Sequence, residues 1–184
     1  DESFIRADIP MTKREIRASV VSRLSPAKDA IVYDIGAGTG SVSVELAMHA
    51  LYGTVYAVER TKEGCDLIAQ NARKFGLDNI DIINASAADV IEKLPAADSV
   101  FIGGSGGELE KIMDIVLKKN PGVHIVITAV TLETLNDSVR LMEDKKVDII
   151  DIVQIAVTQI KKRGRYHMLA ANNPVFIIEG RGNR

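Results

Sequence analysis

The feature that most constrains the fold is a glycine-rich turn after a short apolar run. Residues 30–35 are mostly apolar, and glycines follow at alternate positions, Gly36, Gly38 and Gly40, before a helical pattern begins. Glycine permits positive φ and close approach of a ligand to the main chain, and the free N–H groups of a helix that starts there attract a carboxylate. The pattern therefore predicts a strand, a tight turn and a helix around a nucleotide-type cofactor.

The glycine spacing indicates which cofactor binds. A dinucleotide-binding turn has the pattern G-x-G-x-x-G, whose third glycine allows a helix to pack closely against a strand. Here Ser41 holds that third position, and the pattern from Asp34 to Gly40 is D-x-G-x-G-x-G. A carboxylate at Asp34 disfavours a pyrophosphate but attracts a cation. S-adenosylmethionine, which carries a sulfonium and an ammonium, fits this charge.

A second acid supports the same cofactor. Residues 55–58 form an apolar run that ends in Glu59, 19 positions after Gly40. An acid at the end of the second strand can bind both ribose hydroxyls. An ordinary βα turn is the alternative explanation of the glycines alone. The residues expected to bind the cofactor at these two places are Asp34, Gly36, Ala37, Gly38, Thr39, Gly40 and Glu59.

Strand and helix patterns alternate along the chain. The apolar runs that predict strands lie at 30–35, 54–58, 80–83, 99–102, 123–128, 147–157 and 175–179. Stripes of 3.6-residue period between them predict helices, and Thr12 with Glu15 predicts a capping box at the start of the first helix. We expect one α/β domain over residues 1–184, in which 1–27 are an N-terminal segment and helix. Its doubly wound, Rossmann-like sheet has seven strands and is mostly parallel, with an antiparallel last strand.

Two loops complete the predicted site. Ser86 and Ala87 lie among small residues after the third strand, where an adenine ring can approach the backbone; a small-residue N-cap is the alternative. After the fourth strand come the residues Gly103, Gly104, Ser105, Gly106 and Gly107. Ligands of open parallel sheets bind at such carboxyl ends, where the strand order reverses. Glycines there leave room for a bulky, flat substrate and offer N–H donors to its carboxylates, whereas the alternative is a flexible loop.

Residues 158–173, between the last two predicted strands, form a basic excursion. Its potential cations are Lys161, Lys162, Arg163, Arg165 and His167. We expect Arg163 and Arg165 to clamp carboxylates or phosphates of the substrate, and a solvated charge run is the alternative.

Composition narrows the possible partners. A net charge of −2 and a pI near 6.0 give no general attraction to nucleic acid or an anionic membrane. No apolar run reaches the ~18 residues of a membrane span, and the single cysteine, Cys65, suits a reducing cytoplasm. The three histidines show no metal-ligand spacing. We therefore expect a cytoplasmic protein that binds no metal, nucleic acid or membrane.

Asp34 to Gly40 and Glu59 resemble the corresponding motifs of the seven-stranded S-adenosylmethionine-dependent methyltransferases. A narrower resemblance rests on residues 9–17, 103–109, 128–134 and 173–175, of which the G-G-S-G-G-E-L segment at 103–109 is the most specific. These segments are similar to the decarboxylating C15-methyltransferases of cobalamin biosynthesis, of the precorrin-6Y or cobalt-precorrin-6B type.

That resemblance implies a reduced tetrapyrrole substrate with many carboxylates, methylated at C15 and decarboxylated at the ring-C acetate. It also implies a homotetramer, and cofactor contacts at Thr12, the glycine turn, Glu59 and Ala87. The accepting carbon is an electron-rich enamine carbon, so positioning can supply most of the catalysis, and we assign no catalytic acid or base. The alternatives are a methyltransferase acting on RNA or protein and a non-catalytic cofactor-binding protein.

Overall fold

The computed structural model describes residues 1–183. Helices and strands alternate through the first two thirds of this part of the chain, and strands dominate the last third. The elements in chain order are α1 (Arg14–Leu24), β1 (Ile31–Ile35), α2 (Ser41–His49), β2 (Thr54–Glu59), α3 (Lys62–Phe75), β3 (Ile80–Asn84), α4 (Ala87–Val90), a 3₁₀ turn (Ile91–Lys93), β4 (Ser99–Ile102), α5 (Leu109–Lys119), β5 (His124–Ala129), α6 (Leu132–Asp144), β6 (Val147–Ile155), β7 (Thr158–Arg163), β8 (Tyr166–Ala171) and β9 (Val175–Gly182).

Seven strands form one sheet in the order β3-β2-β1-β4-β5-β9-β6. Strands β1 to β5 pair in parallel, whereas β9 is antiparallel to both β5 and β6. The predicted sheet with an antiparallel last strand is therefore confirmed. Strand β1 lies between β2 and β4, so the strand order reverses there and the carboxyl ends of these strands share one edge.

Both faces of the sheet are buried, which explains why its central strands are apolar at nearly every position. Tyr33 and Ile35 of β1 pack on one face with residues of α4, α5 and α6. Val32 packs on the other face with residues of α1 and α2.

The start of α1 differs from the prediction. The helix begins at Arg14, its N-cap residue is Lys13, and no side chain caps it, so the predicted capping box was wrong. The backbone carbonyl of Thr12 instead accepts a hydrogen bond from the buried guanidinium of Arg17 at 2.7 Å. Arg17 also binds Glu45 of α2 at 2.5 Å. Arg17 therefore links the residue before Lys13 to α1 and α1 to α2.

The basic excursion forms an antiparallel pair of its own. Strands β7 and β8 pair from Thr158 opposite Ala171 to Arg163 opposite Tyr166, apart from the seven-stranded sheet. Every residue of β7 is exposed. Strand β6 ends at Ile155, two residues before the predicted end, because the chain leaves the sheet there to enter this hairpin. No helix among residues 1–183 is long and apolar enough to cross a membrane.

Candidate functional site

A cavity of ~320 Å³ lies beyond the carboxyl ends of β1 and β2, and we call it the turn cavity. Its size falls within the range of small-molecule sites. Eight of the residues that the sequence assigns to cofactor or substrate line it: Gly36, Gly38, Glu59, Ser86, Ala87, Gly104, Ser105 and Gly106.

The glycines of the turn have positive φ and close neighbours. Gly36, Gly38 and Gly40 have φ values of 73°, 56° and 74°. A Cβ on Gly36 would lie 2.5 Å from the carbonyl oxygen of Gly104, and one on Gly40 would lie 2.9 Å from the side chain of Ile68. Larger residues at either position would force the backbone or the α3 helix away. The turn after β1 therefore touches the glycine loop after β4 backbone to backbone.

Glu59 is fixed at the wall of the turn cavity. Its Oε2 accepts a hydrogen bond from the backbone N–H of Gly38 at 3.0 Å, and its Oε1 accepts bonds from the N–H and hydroxyl of Thr61, both at 2.9 Å. Thr61 also caps α3, because its hydroxyl accepts from the N–H of Gly64. A carboxylate has about four lone-pair positions, so Glu59 can still accept from a ligand hydroxyl.

Asp34 lies beneath the turn and does not line the turn cavity. Its side chain is fully buried, Oδ2 accepts the Ser43 hydroxyl, and Oδ1 has no hydrogen-bond partner among residues 1–183. Burial raises the pKa of Asp34 to about 6, the Ser43 hydrogen bonds oppose that rise, and the charge of Glu59 adds to it. The carboxylate thus supplies a negative field to the turn from below rather than a contact surface.

The N-terminal segment closes one side of the turn cavity, although its residues that line the cavity are Ile9 and Pro10 rather than the predicted Thr12. Ile9 and Pro10 line the cavity, and the carbonyl of Pro10 would lie 3.1 Å from a Cβ on Gly38. The fully buried Asn71 of α3 holds this segment. Its amide accepts from the N–H of Ile5 and donates to the Ile5 and Thr39 carbonyls, at 2.8, 3.1 and 2.9 Å.

A second cavity of ~280 Å³, the loop cavity, lies beyond the ends of β4 and β5. All five loop residues from Gly103 to Gly107 line it, together with apolar side chains such as Ile127 and Val130. Gly104, Ser105 and Gly106 line both cavities. The two cavities therefore adjoin along this short stretch of backbone.

The sequence profile of the precorrin methyltransferase domain matches residues 3–180. The chain belongs to the precorrin methyltransferase family. It is 39% identical over 181 residues to the probable cobalt-precorrin-6B C(15)-methyltransferase (decarboxylating) of Pyrobaculum calidifontis, which covers 97% of this chain and 92% of that protein. The resemblance inferred from the motifs is thereby confirmed.

Two crystal structures share the fold closely. Precorrin-6y C5,15-methyltransferase from Geobacter metallireducens is 37% identical, with a TM-score of 0.91 over 98% of this chain and 95% of that one. Precorrin-8w decarboxylase from Methanobacterium thermoautotrophicum is 32% identical, also with a TM-score of 0.91, over 98% and 97% of the two chains. The precorrin methyltransferase is thus an enzyme with the Rossmann-like fold that the sequence predicted.

Several predicted site residues of this precorrin methyltransferase are not among the residues that line the two cavities. Those outside the cavity walls are Thr12, Asp34, Ala37, Thr39, Gly40, Arg163 and Arg165. The guanidinium of Arg165 donates to the hydroxyl of Tyr166 at 2.7 Å, within its own hairpin. The clamp by Arg163 and Arg165 stays a prediction, because neither arginine is among the residues that line the two cavities.

One charged residue at the site carried no signal in the sequence. Arg60, the residue after Glu59, lines the turn cavity. Only its position directly after the strand-end acid could have drawn attention to it. Ser86, which the sequence did indicate, donates its hydroxyl to the carboxylate of Glu108 and so links the loops after β3 and β4.

Proposed function

We propose that this precorrin methyltransferase uses S-adenosylmethionine to methylate C15 of a precorrin or cobalt-precorrin and decarboxylates its ring-C acetate. The observation that carries the proposal is the pair of adjoining cavities that share Gly104, Ser105 and Gly106, in a chain that belongs to this family. One cavity suits a nucleoside cofactor and the other suits a flat, acidic substrate.

The turn cavity fits S-adenosylmethionine. Gly36 and Gly38 bring the backbone to the cavity, Glu59 offers lone pairs to ribose hydroxyls, and Ser86 and Ala87 leave room for adenine. The buried charge of Asp34 favours a cationic ligand near the turn. When bound, the cofactor supplies an electrophilic methyl group. Direct contacts from Thr12, Ala37, Thr39 and Gly40 stay predictions.

The loop cavity supports the substrate assignment. Nothing lies within 4 Å of a Cβ built on Gly104, so the floor beside the turn cavity is open. Apolar walls such as Ile127 and Val130 lower the hydration of a carboxylate held there, which favours loss of CO₂. Holding the accepting carbon against the shared backbone makes the transfer effectively unimolecular, so a protein base is unnecessary.

The exposed hairpin supports assembly into a homo-oligomer, which we propose to be a tetramer. Ile160 and Leu169 face each other in the β7–β8 ladder and are 67% and 75% exposed. Apolar area of this kind is usually covered by a partner. Light scattering of wild type should give a particle several times 20 kDa. Leu169→Lys should reduce that mass, whereas Gln159→Lys on the opposite face should not, and a 20 kDa wild-type particle contradicts assembly.

The clamp by Arg163 and Arg165 can be tested separately from assembly. Arg163→Ala combined with Arg165→Ala should raise the substrate KM about tenfold, and added salt should do the same to wild type. Exposed charges that only meet solvent contribute about 0–1 kcal/mol. An unchanged KM and salt dependence would remove both arginines from the site.

The proposed reaction is tested by product mass. The protein is incubated with S-adenosylmethionine that carries a labelled methyl group and with a tetrapyrrole-precursor extract. The expected product gains one labelled methyl group and loses one CO₂. Reactions without cofactor, or with Glu59→Gln protein, should yield much less. Label transferred to RNA or protein, with none on a tetrapyrrole, contradicts the proposal.

A further inference from the structure

The guanidinium of Arg60 lies at the boundary between the turn cavity and the loop cavity. Arg60 follows β2, yet its side chain reaches past the end of β1 to the glycine loop after β4. A Cβ built on Gly106 would lie 2.7 Å from Nη1 and 2.8 Å from Cζ of Arg60. The guanidinium therefore fills the space that a side chain at position 106 would need. Because Gly106 lines both cavities, this places a positive charge where their contents meet.

The charge of Arg60 is available to a ligand. Within residues 1–183, no carboxylate lies at ion-pair distance from its guanidinium, and its N–H groups make no hydrogen bond. By contrast, Arg17 and Arg23 are both held by carboxylates of other elements. The neighbouring Glu59 is turned away, since its oxygens bind Gly38 and Thr61. Five N–H donors in a planar fork thus stay free at the cavity wall.

Arg60 is also the one cation among the described residues that line the two cavities. Glu59 is the one anion there, and the other lining residues are uncharged. A substrate with many carboxylates needs a positive contact near the reacting carbon to fix its orientation, and Arg163 and Arg165 are not among the residues that line the cavities. A guanidinium fork is suited to bind a carboxylate with two parallel hydrogen bonds.

We propose that Arg60 binds a peripheral carboxylate of the tetrapyrrole and thereby sets the angle at which the macrocycle meets the methyl group. The inference rests on the proposed function and deepens it. The carboxylate that Arg60 binds is one that the product retains. An ion pair with the departing carboxylate would stabilise the ground state and oppose loss of CO₂. Arg60 is therefore a substrate-positioning residue rather than an acid or base.

The experiment compares Arg60→Gln and Arg60→Lys with Arg73→Gln, which removes an exposed arginine on the outer side of α3. Uroporphyrin, a stable tetrapyrrole with acetate and propionate groups, serves as the binding probe, and its methyl ester is the uncharged control. Binding to protein preloaded with S-adenosylhomocysteine is followed by fluorescence. Arg60→Gln should weaken uroporphyrin binding about tenfold or more at low salt. Arg73→Gln should match wild type, and Arg60→Lys should recover part of the affinity.

Cofactor affinity separates substrate positioning from other roles. Calorimetry should give the same S-adenosylmethionine affinity, within about twofold, for wild type and Arg60→Gln, and thermal melting should show that both fold. Unchanged uroporphyrin binding in Arg60→Gln would overturn this inference while leaving the proposed function intact. An equal loss of cofactor affinity would assign Arg60 to the cofactor instead. A wild type that binds the cofactor but neither uroporphyrin nor its natural substrate would overturn the proposed function and this inference together.

Discussion

Asn71 ties the N-terminal segment to the glycine turn, and Asn71→Leu should break that tie. The side chain is fully buried and makes three hydrogen bonds to backbone groups, one of them to the buried carbonyl of Thr39. Leucine has a similar size but cannot replace any of these bonds. The substitution leaves the N–H and carbonyl of Ile5 and the carbonyl of Thr39 without their partner.

The cost follows from how well water can reach each group. An unpaired buried group costs about 1–3 kcal/mol, and a group that water reaches costs less. The Thr39 carbonyl is a buried group that would be left unpaired. Ile5 is half-buried, so its N–H and carbonyl should cost less than a fully buried group but more than one that water reaches freely. We therefore expect Asn71→Leu to lower the free energy of unfolding by about 2–5 kcal/mol, which corresponds to a fall in Tm of roughly 5–15 °C for a domain of this size.

The assay combines thermal unfolding with hydrogen exchange. Ile9 and Pro10 line the turn cavity, so a loosened segment should exchange faster over residues 5–10 and bind S-adenosylmethionine more weakly. Asn79→Leu is the matched control, because the Asn79 amide closes the end of α2 by donating to the Ala47 and Ala50 carbonyls. It should lower Tm without changing exchange over residues 5–10. A Tm within 2 °C of wild type for Asn71→Leu, or unchanged exchange in that segment, would refute the reasoning.

Three further changes test the site. Glu59→Gln should weaken S-adenosylmethionine binding by about 1–3 kcal/mol in calorimetry, because a charged acceptor is lost, and equal affinity would contradict the ribose assignment. Gly36→Ala should unfold well below the wild-type Tm, because its Cβ would meet the Gly104 backbone. Gly104→Val should melt like wild type but lose methyl transfer. Equal Tm values for the two variants would disprove the close approach of Gly36 to Gly104. Folding raises the pKa of Asp34 from 3.8 to about 6. Between these two pH values the folded chain binds more protons than the unfolded chain. The contribution of Asp34 to the free energy of unfolding therefore falls as pH rises through about 6. Chemical denaturation should therefore show that the free energy of unfolding of Asp34→Asn rises relative to that of wild type between pH 4 and pH 7, by on the order of 3 kcal/mol. A difference between the two proteins that stays constant with pH would contradict the raised pKa of Asp34.

The sequence by itself determined the sheet, the turn and the acid at the end of β2. These rest on local properties, namely the period of the apolar residues and the φ values that only glycine adopts easily. The fourth strand, Ser99–Ile102, has the predicted bounds. Family membership followed from short segments and from their order along the chain, both of which are read directly from the sequence.

The tertiary structure decided the features that depend on contacts between residues far apart in the chain. Thr12 and Glu15 have the local pattern of a capping box, yet the Thr12 carbonyl accepts from Arg17, which Glu45 of α2 holds from a distant part of the chain, and α1 begins only at Arg14. Asp34 is buried beneath the turn because α2 places Ser43 against it. Arg60 reaches Gly106, 46 positions further along the chain, because β1 lies between β2 and β4 in the sheet. Contacts of this kind depend on the packing of whole elements, which residue spacing along the chain does not encode.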